Sequence, residues 1–390
     1  MIPVNEALDL LFDLVHPVGI EEVPLSDASG RVLAQDLIAK RTQPPFAASA
    51  MDGYAVSGGA PALGARFRLV GESAAGHGWA GRLVAGECVR IFTGAPVPEG
   101  ADFVVIQEDT TRISSEVTIA RAPGAEANIR PAGADFHQGH QFSSPRRLRP
   151  ADIALLAAMN HARLPVRRRP SVALISTGDE LVMPGEAPGP DQIIASNTFG
   201  LKAMLKAEGC RARILPIARD TDAAIAQAFD LAQSADLIVT IGGASVGDHD
   251  LVAGVAAQEG AVQSFHKVAM RPGKPLMGGR LGGSMMIGLP GNPVSAMVCC
   301  HVFVLPVVRA MMGLPATPAP RLRAQLGRAV KANGPREHYM RAVVENGAIA
   351  DCENQDSALL SVLSQANALM VRPVGDEARA AGDWVEYIAI

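Results

Sequence analysis

From residue 171 to residue 313 the chain alternates short apolar runs with helix-length segments, and no other feature restricts the fold as much. Strand-like runs fall at 172–176, 211–217, 237–241, 262–268 and 284–289. Helical spacing occupies 197–208, closed by Gly209, then 221–233 with Asp220 as its cap, and 250–258. Strands joined through helices must run parallel, and right-handed crossovers place helices on both faces of the sheet. The expectation is an α/β domain with a largely parallel sheet, its ligands bound outside the carboxyl ends of the strands.

The last of these junctions is Pro290-Gly291-Asn292-Pro293, between a buried strand and a long apolar helix. Asn292 suits an N-cap, and Pro293 suits the first helical position, where a missing N–H costs nothing. A helix start of this kind turns backbone N–H groups and a positive dipole end toward an anion. Pro272-Gly273-Lys274-Pro275 precedes it, so Lys274, Arg271 and Lys267 are candidate anion partners. Read alone, the same residues are also a plain connecting turn.

Other strands also end in polar, Gly-containing loops. Thr177, Gly178, Asp179 and Glu180 follow one strand; Gly242, Gly243, Ala244, Ser245, Val246, Gly247 and Asp248 follow another, with Asp250 two further on. Glycines allow close backbone approach to an anion, while hydroxyls donate and lysines neutralise. Carboxylates among them make sense if Mg²⁺ bridges them to a phosphate, or if one serves as a base. Asp179 and Asp248 read equally as helix caps. No Walker A loop is present, because Pro275 follows Lys274 and Val268 stands where glycine is required. GHGWAG at 76–81 matches a dinucleotide fingerprint without its strand-to-helix setting, and is read as a chance match.

At 390 residues the chain is long enough for two to four domains. A net charge of −4 argues against a general nucleic-acid binder, so any anion site is local. No signal segment and no uncharged membrane-length span are expected, which places the chain in the cytoplasm. The five cysteines form no zinc-ligand pattern and read as free thiols of a reducing compartment. His137 and His140 read as surface histidines. The run ALDLLFDLVHPV is an amphipathic helix, and the helical pattern is expected to yield to Pro, Gly and short strands after Lys40. Those strands continue to about 126 as a small β unit. Two basic segments, SSPRRLRP (143–150) and PVRRRP (165–170), flank a helix at 151–160. Beyond the linker LPATPAP the tail alternates as a second β domain. Inside the first β unit, Asp52-Gly53 reads as a hairpin turn with Met51 and Tyr54 as core, and Thr93-Gly94-Ala95-Pro96 as turn chemistry or a second ligand surface.

Seven segments occur in one order: PPFAASAMDGYAV, TGAPVPEGADFVVIQED, IRPAGADFHQG, STGDEL, IGGASVGDHD, KVAMRPGKP and GLPGNPVSA. Together they resemble the molybdopterin molybdenumtransferases, the MoeA-type enzymes and the equivalent C-terminal domain of gephyrin. The resemblance implies a discontinuous N-terminal and linker domain (1–40 and 127–165) and an inserted β domain (41–126). It further implies a molybdopterin-binding α/β domain (166–315) and a C-terminal β-barrel-like domain (316–390). It implies an elongated homodimer whose active site lies between the α/β domain of one subunit and the inserted β domain of the other.

The implied reaction inserts molybdate into adenylylated molybdopterin, with Mg²⁺, and releases AMP. By resemblance Asp52, Thr93, Glu180, Asp220, Asp250, Lys267 and Lys274 are catalytic. Asp135, Thr177, Gly178, Gly242, Gly243, Ser245, Arg271, Pro290, Gly291, Asn292 and Pro293 bind the pterin or its phosphates, and Glu180, Asp220 and Asp250 hold the metal. Molybdopterin adenylyltransferase and molybdoenzyme apoproteins are the implied partners. Three positions depart from the family pattern: Ala195 stands for a common aspartate, Arg271 for lysine and Ile241 for serine. Two other functions stay open, a noncatalytic molybdopterin carrier or scaffold and a molybdopterin adenylyltransferase. The extra domains count against the latter.

Overall fold

The computed structural model describes residues 1–243 and 251–390. The expected α/β sheet has six strands in the spatial order Arg211–Ile214, Ser171–Ser176, Leu237–Ile241, Ser284–Leu289, Met277–Leu281, Val262–His266. The first four run parallel. Met277–Leu281 is reversed against both neighbours. The reversal is local chemistry: Leu281 pairs with Ser284 across Gly282-Gly283, and Gly282 has φ 56. A two-residue glycine loop makes a tight hairpin and cannot make a crossover.

Alternation along the strands divides the core into two layers. Val172, Leu174, Val239 and Ile287 pack with Leu201 and Leu205 of the helix Asn197–Glu208 and with Leu8 and Leu11 of the helix Val4–Asp13. Ala173, Ile175, Ile238 and Met286 face Ile225 and Phe229 of the helix Asp222–Ala232 and Val252 and Val255 of the helix Leu251–Gln258. Both faces are therefore dry, as a parallel sheet requires.

Several local expectations need correction. Two strands are shorter than expected, ending at Ile214 and His266, because Pro216 and the positive φ of Lys267 (75°) stop regular pairing. The cap of the helix Asp222–Ala232 is Thr221, whose Oγ1 accepts from the Ala224 N–H at 3.3 Å, so Asp220 is left free for other work. The N-terminal helical pattern stops at Asp13 and not near Lys40, since short strands begin at Ile20.

No charged residue lies between Arg280 and Arg309, contrary to the expectation of no such span. The helical stretch Pro293–Met311, which overlaps this span and carries Arg309 near its end, is long and apolar enough to cross a membrane (mean hydropathy 1.9). It is 83% buried inside the fold, so its apolar surface is consumed by the α/β core.

The inserted β unit is a six-stranded sheet in which Gly53–Val56 lies between Phe103–Ile106 and Glu87–Ile91. Gly53 is thus inside a strand, and the hairpin-turn reading of Asp52-Gly53 fails. A Cβ at Gly53 would overlap the Val105 carbonyl oxygen, which is why glycine stands there. Tyr54 is buried as expected, whereas Met51 is exposed. The linker region pairs Ile20–Pro24 with Arg163–Arg167 and Arg146–Arg147 with Val32–Leu33. Its two basic segments meet the end of the helix Asn197–Glu208, where Arg147 pairs with Glu208 and Arg169 donates to the Gly209 carbonyl at 3.1 Å. In the tail, Glu337–Glu345, Ala348–Asp351, Leu322–Leu326, Trp384–Ala389 and Ala368–Arg372 close on themselves as a five-stranded barrel. Met270–Arg271 of the α/β domain adds to its outside, parallel to Glu337–Glu345.

Candidate active site

Loops at the carboxyl ends of the parallel strands enclose an open cleft of about 700 Å³. Thr177, Gly178, Glu180, Asp220, Gly242, Gly243 and the whole turn Pro290, Gly291, Asn292, Pro293 line it, as do Ala195, Pro275 and Ala358. The structure thus brings together most of the expected α/β set. Ser245, Asp248 and Asp250 lie outside the described residues. Among the described residues no three His, Cys, Asp or Glu side chains converge as a metal site.

The glycines work by close approach more than by offering amides. Gly242 and Gly243 have φ of 91° and 63°, and a Cβ on either would press on Thr177, or on Val252 in the case of Gly243. The amides of Thr177, Gly178 and Gly242 donate to the carbonyls of Ile241, Ala218 and Leu289. Thr177 Oγ1 is buried beside the bare glycine faces with no partner among the described residues. Leaving a buried hydroxyl unpaired costs about 1–3 kcal/mol, so a ligand oxygen is its natural complement.

Two acidic loops face one another. Asp179 N–H donates to Asp220 Oδ2 at 3.4 Å, and Asp220 N–H donates to Asp179 Oδ1 at 3.3 Å. Asp179 therefore braces Asp220 and caps no helix. The Glu180 carboxylate lies over Gly178, where a Cβ would displace it.

The helix start at Pro293 differs from the expectation. Asn292 occupies the cap position, but its Nδ2 donates to Ser357 Oγ at 3.1 Å, and the Val294 N–H donates to the Ser357 carbonyl at 3.0 Å. The C-terminal domain, distant in sequence, takes a donor that the turn alone would leave free. Asn197 Nδ2 holds the Gly291 carbonyl at 2.7 Å.

Lys267, Arg271 and Lys274 share the loop that carries Pro275 into the cleft wall, although their own side chains do not line it. Arg271 pairs in register with His338 of the barrel. Three positions further along the same barrel strand is Arg341, which the sequence alone did not single out. Arg341 is 0% exposed, with Nε and Nη1 unpartnered and Nη2 donating to the carbonyls of Asp356 (3.0 Å) and Asn354 (3.3 Å). No carboxylate pairs with it among the described residues. Burial pulls its pKa below the ordinary guanidinium value. His338 Nε2 is also buried and unpartnered, and burial, then the charges of Arg271 and Arg341, pushes His338 down to about 4. It is neutral at physiological pH. The signal for Arg341 was a lone charge in the apolar run Tyr339–Val344, written off as strand alternation.

Asp52 and Thr93 form a second constellation on the inserted β unit and do not line the cleft. Asp52 Oδ1 accepts from both the Thr93 N–H and Oγ1, each at 2.7 Å. The Thr93 amide first, and then its hydroxyl, hold the Asp52 carboxyl below the usual range. Arg90, also missed, stacks between Tyr54 (5.1 Å) and Phe92 (4.7 Å) and donates to the Gly53 carbonyl at 3.1 Å. Asp135 is exposed, with its N–H on the Gln43 carbonyl.

A depressed carboxyl contributes its hydrogen bonds above the unfolded pKa and loses them as pH falls through the folded value. Thr93→Val removes one donor, so the Asp52 titration is expected to rise toward the ordinary aspartate range. Carboxyl-carbon NMR checks this, and an unmoved titration would show that the hydroxyl contributes nothing.

Comparison with known proteins gives the family. Residues 2–160 match the MoeA N-terminal region (domain I and II), 173–310 a probable molybdopterin binding domain, and 323–390 the MoeA C-terminal region (domain IV). The molybdopterin molybdenumtransferase of Haemophilus influenzae is 36% identical over 307 residues, covering 78% of this chain and 76% of that protein. The enzyme of the same name from Nostoc sp. is 33% identical, covering 96% and 90%. A solved structure of a molybdopterin biosynthesis MoeA protein from Pyrococcus horikoshii superposes with a TM-score of 0.86 at 25% identity, covering 100% of both chains. With three family regions matched in order and its relatives alike over most of their length, the chain belongs to the molybdopterin molybdenumtransferases, enzymes of molybdenum cofactor biosynthesis.

Proposed function

We propose that this cytoplasmic enzyme takes adenylylated molybdopterin and molybdate in the cleft, transfers molybdenum to the dithiolene and releases AMP. The observation that carries the reading is the cleft itself, where Thr177 Oγ1 is buried beside the glycine wall with no partner among the described residues and Glu180 and Asp220 supply carboxylates. Arg341, fully buried with Nε and Nη1 unpartnered among the described residues, does not line the cleft and is proposed as a second oxyanion contact. A buried charge without a counter-ion is costly, and an oxyanion satisfies both its charge and its planar donor fork. Lys267 and Lys274, on the same loop as Arg271, supply further positive charge. Thr177 Oγ1 and the glycine wall suit the pterin and its phosphates.

Glu180 and Asp220 offer hard carboxylate oxygens on one cleft, a donor set that fits Mg²⁺. Asp250 is the proposed third donor. When bound there, Mg²⁺ supplies charge neutralisation to the phosphoanhydride oxygens. The protein's own part is to orient the acidic loops through the Asp179–Asp220 hydrogen bonds.

Asp52 and Thr93 lie away from the cleft, and a second copy of the chain is proposed to bring them to it in a homodimer. Molybdopterin adenylyltransferase is the proposed supplier, and molybdoenzyme apoproteins the recipients. One observation favours a carrier as the alternative: the cleft wall has the methyl of Ala195 in place of the aspartate common in the family.

The test incubates the protein with adenylylated molybdopterin, Mg²⁺ and molybdate, and measures AMP. Molybdate-dependent AMP release is expected. Tight binding without AMP would favour the carrier, and neither binding nor release would overturn both readings.

A further inference from the structure

The loop bearing Lys267, Arg271 and Lys274 is held from two sides by backbone of other regions. On one side Ile2 forms a parallel bridge with Val268. The Ile2 N–H donates to the Lys267 carbonyl at 3.1 Å, and the Ala269 N–H donates back to the Ile2 carbonyl at 2.7 Å. On the other side the Glu337 N–H of the barrel donates to the Ala269 carbonyl at 3.0 Å, continuing into the pairing of Arg271 with His338. The side chain of Ile2 packs on the α/β core, which anchors its backbone.

Lys267 has φ 75°. The other described non-glycine residues in that region are three asparagines and a serine, which adopt it more readily. A lysine stays there only if its surroundings over-determine it. Here both of its peptide groups are engaged, the N–H on the Leu276 carbonyl at 2.9 Å and the carbonyl by Ile2.

We propose that Ile2 is a positioning residue: its backbone clamps Lys267 in the left-handed conformation and so presents the cationic loop to the oxyanion. The inference rests on the reading of this loop as an oxyanion site. It makes the first residues of the chain part of the active-site architecture, although they carry no reactive group.

The variant Ile2→Pro deletes the N–H that reaches Lys267 and trims the packing, Ile2→Ala trims the packing alone and should leave both readouts closer to the wild type than Ile2→Pro does, and Ile2→Val keeps both the N–H and the packing. Two measurements are made on the full-length protein, deuterium exchange of the peptide covering 267–276 and molybdate affinity by calorimetry. For Ile2→Pro we expect exchange about tenfold faster and molybdate affinity about five- to tenfold weaker, at an unchanged melting temperature. Ile2→Val should match the wild type in both. Unchanged exchange in Ile2→Pro overturns the clamp, and faster exchange with unchanged affinity overturns its positioning role. If the wild type itself binds no molybdate, the oxyanion reading of the loop falls, and the exchange rates still decide the clamp.

Discussion

Replacing Arg341 with methionine is expected to abolish molybdate-dependent turnover without destabilising the protein. Arg341 is 0% exposed and, among the described residues, makes no ion pair with a carboxylate, and burial outweighs the charge of Asp356, so in the free protein its charge works against folding. An apolar side chain of similar length removes that cost, and buried charges replaced in this way are often neutral to stabilising by about 1–4 kcal/mol. Two opposing terms limit the gain, because the carbonyls of Asn354 and Asp356 lose their donor. The melting temperature should therefore stay level or rise. Turnover should fall by about 100-fold or more, the usual consequence of deleting one preorganised donor from an oxyanion site. Arg341→Lys keeps the charge but loses the planar fork, and should recover only part of the rate. Full molybdate-dependent turnover in Arg341→Met would remove this residue from the site.

Asp52→Ala and Glu180→Ala should each be inactive, and a mixture of the two reassembled as dimers should recover about a quarter of wild-type turnover. The arithmetic follows from random pairing: half of the dimers carry one variant of each kind, and one of their two sites is intact. The expectation comes from geometry. Glu180 lines the cleft, whereas Asp52 is hydrogen-bonded to Thr93 on a different domain and does not reach it within one chain. Each variant must still form dimers by sedimentation for the comparison to hold. A mixture that stays inactive would mean that Asp52 and Glu180 serve the same site from a single chain, or that Asp52 serves none.

Much of this architecture was legible from residue order. Gly209 closes its helix at φ 103°, the strands at 237–241 and 284–289 lie where the apolar runs put them, and the Pro290–Pro293 turn lines the cleft. What was misread was short in reach but ambiguous in direction. Asp220 and Thr221 are both good caps, and only the facing Asp179 loop shows why the aspartate is spared for the cleft. Gly282-Gly283 was a hairpin signal that the alternating pattern obscured.

The sequence by itself determined where elements begin and end and which residue types gather at the strand ends, because caps, turns and apolar periods act over a few residues. The tertiary structure alone decided which polar groups remain unsatisfied. Ser357 takes the Val294 amide, Ile2 holds the Lys267 carbonyl, and Arg341 is buried with no ion pair among the described residues. Each outcome depends on partners tens to hundreds of residues away, and a donor is free or engaged only once the chain has folded around it.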